Sequence, residues 1–232
     1  MSSQNPWWGK TLRTIGIVLM SVTAAFTLMG GAGTTCVALN PTGFGGKFAG
    51  IAPFQWLYVL FVLATLAVGA WGVRAVVQLI KGARRSYRQA LVVLAAGALI
   101  GAIHMASSRA LRGSSMPVDM VVYTTIITLV LFLLFRLPGV WTKLGFESPR
   151  GGSRKGGTAT AAALASTGLL ALTVQFVMAP THTIGGVNYA DVWHAALTLI
   201  GVGLIAMSAV LRLRLRLEST GQSLAADAEA GA

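Results

Sequence analysis

Charged residues are scarce in this chain. Asp, Glu, Lys and Arg make up 10% of its 232 residues, whereas hydrophobic residues make up 55%. Soluble domains carry roughly 25% charged residues, which they need to cover their surface with polar groups. The composition therefore excludes an ordinary soluble domain. It also excludes disorder over most of the chain, since disordered segments contain few hydrophobic residues.

Cysteine and the common catalytic motifs are nearly absent as well. Cys36 is the one cysteine, which excludes an internal disulfide and a CxxC redox pair. The sequence contains no P-loop, no dinucleotide-binding glycine motif and no HExxH zinc motif. No Asp or Glu stands in the middle of an apolar stretch, where ion-coupled carriers and proton pumps usually need one. These absences argue against most enzyme classes and against a proton pump.

Long apolar runs are what the chain has instead. A helix needs about 20 mostly apolar residues to cross a hydrocarbon core of about 30 Å. The runs are continuous and not alternating, so they predict helices and exclude a β-barrel. We predict an all-α, six-transmembrane-helix bundle that forms a single transmembrane domain over residues 1–217, followed by a disordered, acidic and Ala-rich tail over 218–232. The six predicted spans cover residues 14–34, 56–73, 90–107, 118–135, 158–178 and 191–211.

The basic residues are distributed unevenly between the two sides of this bundle. If the N-terminus is cytoplasmic, the inner loops and tails hold 15 of the 18 Lys and Arg residues, and the outer segments hold only Lys47, Arg109 and Arg112. Cytoplasmic loops carry such an excess of positive charge. We therefore predict a multi-pass protein of the plasma (inner) membrane with both termini cytoplasmic. The net charge of +12 then reports topology, and we expect no nucleic-acid partner.

The loops and the small residues predict how the spans are joined and packed. We predict an irregular, glycine-rich outer loop over 30–55 and a flexible, glycine-rich linker over 145–157. Small residues let helices approach closely in lipid, so the third, fifth and sixth spans should form the centre of the bundle. The fourth span, with large side chains on every face, should face lipid or a partner subunit. The first span is longer than the apolar core of a signal peptide, so we expect it to stay uncleaved.

The three histidines all fall on the predicted outer side. His104 and His194 lie about one turn inside the outer ends of the third and sixth spans, where they could ligate a haem b or a copper or zinc ion. Asp191 stands three residues before His194 and could accept its other ring N–H. His182 and Cys36 are further metal-ligand candidates on this side. The alternative, which we prefer, is that ordinary hydrogen bonds satisfy these side chains.

One further polar residue, Gln175, stands in the outer third of the fifth span. An amide in hydrocarbon needs a hydrogen-bond partner, and we expect that partner on the third or the sixth span.

The function that these features predict is an integral membrane anchor or scaffold subunit of a larger membrane complex, for example a respiratory or redox complex. Its partners would be the lipid bilayer and other membrane subunits, and it would have no catalytic activity of its own. The large apolar surface and the near lack of extramembrane domains favour this role. The alternative is a small-solute permease or channel with the loop over 30–55 as a lid, and a membrane enzyme that uses the outer histidines ranks last.

Overall fold

Helices make up nearly all of the described chain. The computed structural model describes residues 7–44, 46–148 and 154–230. Within them, a two-stranded antiparallel hairpin of β1 (Thr183–Ile184) and β2 (Val187–Asn188) and two 3-10 turns (Ala49–Phe54 and Tyr189–Trp193) lie between helices. The α-helices are α1 (Trp7–Leu39), α2 (Gln55–Lys81), α3 (Ser86–Arg112), α4 (Val118–Leu134), α5 (Trp141–Leu144), α6 (Arg154–His182) and α7 (His194–Ala230).

Five of these helices, α1, α2, α3, α6 and α7, are long and apolar enough to cross a membrane. They coincide with the first, second, third, fifth and sixth predicted spans. α4 is apolar but has only 17 residues, or about 25 Å at 1.5 Å per residue. The predicted all-α, multi-pass bundle is thereby confirmed.

α1 runs farther than predicted, and the glycine-rich outer loop is correspondingly shorter. Residues 30–39 continue α1 and a 3-10 turn follows, so the prediction of an irregular loop over 30–55 is wrong for most of its length. Gly31 packs against Leu66 of α2, where an added Cβ would come within 3.0 Å of a side-chain atom. The Thr34 hydroxyl donates to the carbonyl of Gly30 at 2.7 Å. Close packing here compensates for the low helix propensity of glycine and threonine.

A second difference from the sequence prediction lies at the C-terminus. α7 continues through Ala230, whereas the sequence predicts a disordered tail from residue 218. Ala, Leu and Gln are strong helix formers. A segment that continues an existing helix also avoids the cost of nucleating a new one. Residues 231–232 of the predicted tail lie outside the described ranges.

α1 lies at the centre of the bundle, where α2, α4, α5 and α6 pack against it. The prediction that the third, fifth and sixth spans form the centre is therefore wrong. The small residues do permit close packing, but in separate helix pairs. Gly101 of α3 faces Val122 of α4, whose Cγ2 lies 2.8 Å from the position of an added Cβ. The backbones of Gly168 on α6 and Gly201 on α7 are also in close contact. A Cβ added at either glycine would lie within 2.9 Å of the carbonyl oxygen of the other.

α4 has two unlike faces. Thr125, Thr128 and Phe132 are buried against the neighbouring helices, whereas Ile127 and Leu133 are exposed. The sequence predicted that the whole helix faces lipid or a partner subunit. Only one face is available for that contact, because the threonine-bearing face packs into the bundle.

Large aromatic side chains close one end of the bundle. We call Tyr87, Phe132, Phe135, Trp141 and Phe146 the aromatic cluster, in which neighbouring ring centroids lie 4.5 to 5.8 Å apart. The Tyr87 hydroxyl donates to the carbonyl of Phe132. Phe146 stands in the segment predicted to be a flexible linker, but it is fully buried and fixes that part of the segment to the bundle. Residues 149–153 of the predicted linker lie outside the described ranges.

Basic side chains surround the aromatic cluster. Arg13 of α1 is 2% exposed, and its guanidinium donates to the carbonyls of Leu79 and Ile80 near the end of α2, at 3.2 Å for Ile80. Arg136 lies over the ring of Trp141, 4.7 Å from its centroid. A cation is favourable at the carbonyl end of a helix because of the helix dipole. We call this end of the molecule, with the aromatic cluster and its arginines, the basic end.

Candidate functional site

A large cavity lies at the end of the bundle opposite to the basic end. It has a volume of about 540 Å3 and is lined by the C-terminal halves of α1, α3 and α6, the N-terminal half of α2 and the first turns of α4 and α7. We call this end the cavity end. Most of the lining side chains are apolar. Pockets that hold drug-sized ligands have about 300–1,000 Å3 and are lined in a similar way, so the space suits a small organic molecule.

The cavity extends about half way through the bundle. On α3 its lining runs from Gly97 to Arg112, which is about 22 Å at 1.5 Å per residue. On α1 the lining reaches from Asn40 to Phe26, near the middle of that helix. Gly33 contributes to the space, because no heavy atom lies within 4 Å of the position of an added Cβ there. The cavity is therefore a long slot and not a shallow depression.

Buried polar side chains gather on one wall of the cavity. The hydroxyls of Tyr58 on α2 and Ser108 on α3 are 2.8 Å apart and share a hydrogen bond. His104, which is 5% exposed, stacks on Phe61 with a centroid distance of 4.4 Å and meets the Tyr58 ring edge to face at 5.4 Å. The imidazole is thus held by aromatic rings from α2. We call Tyr58, His104 and Ser108, together with the neighbouring Arg112, the polar wall.

Arg112 brings a full charge to the polar wall. Among the described residues that line the cavity, it is the one Lys, Arg, Asp or Glu. Its Nη2 donates to the carbonyl of Met116 at 2.6 Å, and its Cζ lies 5.1 Å from the centroid of the Phe48 ring. Arg109, one turn earlier on α3, forms an ion pair with Asp119 at 3.2 Å instead. The two neighbouring arginines therefore differ in what they face.

Gln175 has a partner on the sixth predicted span, as its depth in the membrane required. Its Oε1 lies 2.7 Å from Nδ1 of His194 on α7, and Gln175 is 5% exposed. The sequence predicted that Asp191 would orient His194, but Asp191 accepts a hydrogen bond from Nδ2 of Asn188 at 2.9 Å instead. The reason is local, since Asp191 belongs to the 3-10 turn Tyr189–Trp193 and not to the first turn of α7.

The four other candidate ligands do not come together as a metal site. His104 lines the cavity from α3, whereas His194 is bound to Gln175 where α6 and α7 meet. His182 and Cys36 line the cavity, and the His182 ring bonds to a backbone carbonyl of its own helix at 3.0 Å. Within the described part of the chain, no three His, Cys, Asp or Glu side chains are grouped to hold a metal ion. The geometry therefore gives no support to a haem or copper held by two histidines.

Sequence reasoning missed most of the polar wall. Arg112 entered it only as one of three basic residues on the outer side, and Tyr58 and Ser108 belong to no motif. The available signal was the presence of two outer arginines, Arg109 and Arg112, beside a single nearby carboxylate, Asp119. One carboxylate can neutralise only one of them.

Comparisons with known protein families, with curated proteins and with solved structures find no match for this chain. Its class is therefore defined by its own fold and cavity. It is an α-helical, multi-pass membrane protein with a cavity of ligand size at one end of the bundle.

Proposed function

We propose that this chain is a small permease that takes a small molecule into the cavity from the outer side of the membrane. The observation that carries the proposal is the slot of about 540 Å3, which begins at one end of the bundle and ends half way through it. A subunit that only anchors partners has no need of such a space. The sequence alone ranked the anchor first and the permease second, and the cavity reverses that order.

The proposed topology has six spans with both termini on the inner side of the plasma membrane. The basic end carries Arg13, Arg136 and Lys143 close to the aromatic cluster, as the positive-inside rule requires of a cytoplasmic face. α4 begins at the cavity end and finishes at Phe132 in the aromatic cluster, so it joins the two ends. A span of about 25 Å is accommodated by local thinning of the bilayer at modest cost.

The structure supports a permease that is closed toward its inner side. A second void, of only about 10 Å3, shares Thr27, Val68 and Gly97 with the cavity and lies below it. This size is at the lower limit for one water molecule. Thr23 on its wall is hydrogen-bonded to Thr128 at 2.8 Å, which ties α1 to α4. The aromatic cluster lies beyond, so passage to the inner side would require these contacts to open.

α7 favours a second function, the anchoring of a partner subunit. Few side chains are buried over residues 194–221, the part of α7 whose side chains are described, and Gly203 has open space around the position of an added Cβ. Small residues on a free helix face allow another helix to approach closely in lipid. A permease could therefore also be one subunit of a larger complex. The exposed apolar side chains of α7 include Leu199, Ile200, Val202, Met207, Val210, Leu213 and Leu217.

The single native cysteine provides the test of the proposed function. Cys36 is exposed and lines the cavity. A membrane-impermeant thiol reagent applied to intact cells should label Cys36 from the outside, and a solute that occupies the cavity should slow this labelling. Labelling only after permeabilisation would place the cavity on the inner side and overturn the proposal.

A matched control uses the other end of the molecule. In a Cys36→Ser background, a Ser148→Cys substitution puts an exposed thiol at the basic end, two residues after the buried Phe146. This thiol should react with the impermeant reagent only after the cells are permeabilised. Labelling of both variants from outside would contradict the proposed topology.

A further inference from the structure

We propose that the cavity takes a single-chain amphiphile with an anionic oxygen-bearing head, which binds at Arg112 while its apolar chain lies along α3 toward Gly97. This inference rests on the proposed function, because it assigns a ligand class to the same cavity. A carboxylate and a phosphate ester share the required head chemistry.

The charge of the cavity sets the sign of the head group. Arg112 is the one Lys, Arg, Asp or Glu among the described lining residues, so an anion in the cavity would meet a positive charge. Asp119, which acts on Arg112 electrostatically, lies outside this lining and forms its ion pair with Arg109. Arg109 differs in this respect, because Asp119 pairs with it at 3.2 Å and the Ser115 hydroxyl accepts from its Nε at 2.8 Å. Arg109 is therefore paired with a carboxylate, whereas Arg112 lines the cavity.

The donors on the polar wall suit an acceptor-only head. A guanidinium carries five N–H donors in a planar fork that matches a carboxylate or a phosphate. The Met116 carbonyl accepts from one of the two terminal nitrogens of Arg112, and the Phe48 ring covers one face of the group. The hydroxyls of Tyr58 and Ser108 lie on the same wall, and the one that accepts in their shared hydrogen bond keeps a proton that it can donate to a ligand.

The shape of the cavity indicates that the rest of the ligand is an apolar chain. The lining on α3 is about 22 Å long at 1.5 Å per residue, and Arg112 stands at its outer end. Below the polar wall the slot is bordered by Val68, Ile100, Val121 and Val174, which are apolar. A charge that stays at the membrane interface with an apolar chain buried below it is the arrangement that the bilayer itself imposes on amphiphiles.

The experiment measures protection of Cys36 in the purified full-length protein in nanodiscs of phosphatidylcholine. The thiol reagent is a neutral maleimide, so that substitution of an arginine does not alter its approach electrostatically. The probes are dodecanoate, dodecyl phosphate and 1-dodecanol, each added as a stated mole fraction of the lipid. Dodecanoate or dodecyl phosphate should slow the labelling of Cys36 at a lower mole fraction than dodecanol does. The more protective of the two anions identifies the head group.

Two arginine variants locate the head. Arg112→Gln should raise the mole fraction of the anion needed for half protection by about ten- to a hundredfold, the usual worth of a charge-assisted hydrogen bond. It should leave protection by dodecanol unchanged. Arg109→Gln, one turn earlier on the same helix, is the matched control and should leave protection by the anion within about twofold.

The outcomes separate this inference from the proposed function. The assignment of an anionic head is wrong if dodecanol protects the unaltered protein as well as the anions do. It is also wrong if the anion protects Cys36 of the Arg112→Gln variant at the same mole fraction as in the unaltered protein. In both cases the cavity remains a binding site. If no probe slows the labelling of Cys36, the anionic head is overturned as well. If, in addition, the membrane-impermeant reagent labels Cys36 of intact cells only after permeabilisation, the proposed function fails with it. The comparison of anion with alcohol needs no variant, so it holds even if Arg112→Gln does not fold.

Discussion

At the basic end, five aromatic rings fill the space between α1, α3, α4 and α5, whereas at the cavity end the same bundle leaves about 540 Å3 open. In lipid, helices are held by packing contacts and hydrogen bonds, since the surrounding hydrocarbon is as apolar as the side chains themselves. Ring packing supplies many such contacts at the basic end. The cavity end has a smaller buried apolar cluster, which includes Ala38, Ile51 and Val62. A few polar pairs add to it, such as Tyr58 with Ser108 and Gln175 with His194.

This difference divides the tasks between the two ends. The basic end should carry most of the stability of the bundle, because its aromatic side chains are large, in mutual contact and, apart from the partly buried Trp141, buried. The cavity end should tolerate substitution, because much of its lining already faces open space. Sites that bind ligands are commonly found in the less stable parts of a structure.

Phe132→Ala should have the largest effect on stability. Phe132 is fully buried, and its ring lies 5.6 to 5.8 Å from the rings of Tyr87, Phe135 and Phe146. In soluble cores, Phe→Ala costs about 3–5 kcal/mol. The lower part of this range is expected here, because lipid cancels the transfer term and only packing is lost. Thermal unfolding in a mild detergent, followed by circular dichroism, measures the cost.

The neighbouring residue Leu133 provides the control for this substitution. Leu133 is 54% exposed on the outer face of α4, so Leu133→Ala should change the midpoint of unfolding only slightly. Equal losses of stability from Phe132→Ala and Leu133→Ala would show that ring packing at the basic end stabilises the bundle no more than an exposed side chain does.

Arg13→Met should have the next largest effect. The substitution removes the guanidinium that donates to the carbonyls of Leu79 and Ile80. The methionine side chain is apolar and long enough to occupy the same space. Hydrogen bonds to a charged group contribute about 1.5–3 kcal/mol, so a loss near that size is expected. Lys10→Met alters an exposed cation on the same helix and should cost little. If Arg13→Met leaves the free energy of unfolding unchanged, the end of α2 is stable without this contact.

The sequence predicted the bundle because the signals for membrane helices are strong and local. Apolar runs of about 20 residues and the distribution of Lys and Arg do not depend on tertiary contacts. The extension of α1 over residues 30–39 was missed, because Gly and Thr have low helix propensity and only packing against α2, as at Gly31 with Leu66, favours the helix.

The candidate site was harder to predict, because it depends on which helices are neighbours. His104 and His194 stand at similar predicted depths, but α3 packs on α2 and α4 while α7 packs on α6. Depth along a helix can be counted from the sequence, whereas the rotation and the neighbours of a helix cannot. The sequence predicted a partner for Gln175 on the third or the sixth span, because an amide in hydrocarbon needs one, and the structure has it on the sixth.

Gly33→Phe tests whether the open space at the cavity end is used. Gly33 lines the cavity, and no heavy atom lies within 4 Å of an added Cβ there, so a larger side chain begins in open space. The ring would take up space that a ligand needs, and retention of radiolabelled dodecanoate should fall by about tenfold, or about 1.4 kcal/mol. Gly203→Phe, which enters equally open space on α7, should leave retention unchanged. A similar loss from both substitutions would point to a general effect of the ring and not to the cavity.

The pair of Gln175 and His194 should give the smallest effect and therefore the finest measure of how the cavity end is held. A double-mutant cycle with Gln175→Leu and His194→Phe isolates the coupling across the 2.7 Å contact. Hydrogen bonds between membrane helices average about 0.6 kcal/mol in such cycles and reach about 1.7 at most. The coupling should fall in this range, well below the loss from Phe132→Ala, because polar groups of the unpaired helices also find other partners in the membrane. A coupling as large as the loss from Phe132→Ala would mean that polar contacts stabilise the cavity end as strongly as the aromatic cluster stabilises the basic end, and the division of tasks between the two ends would not hold.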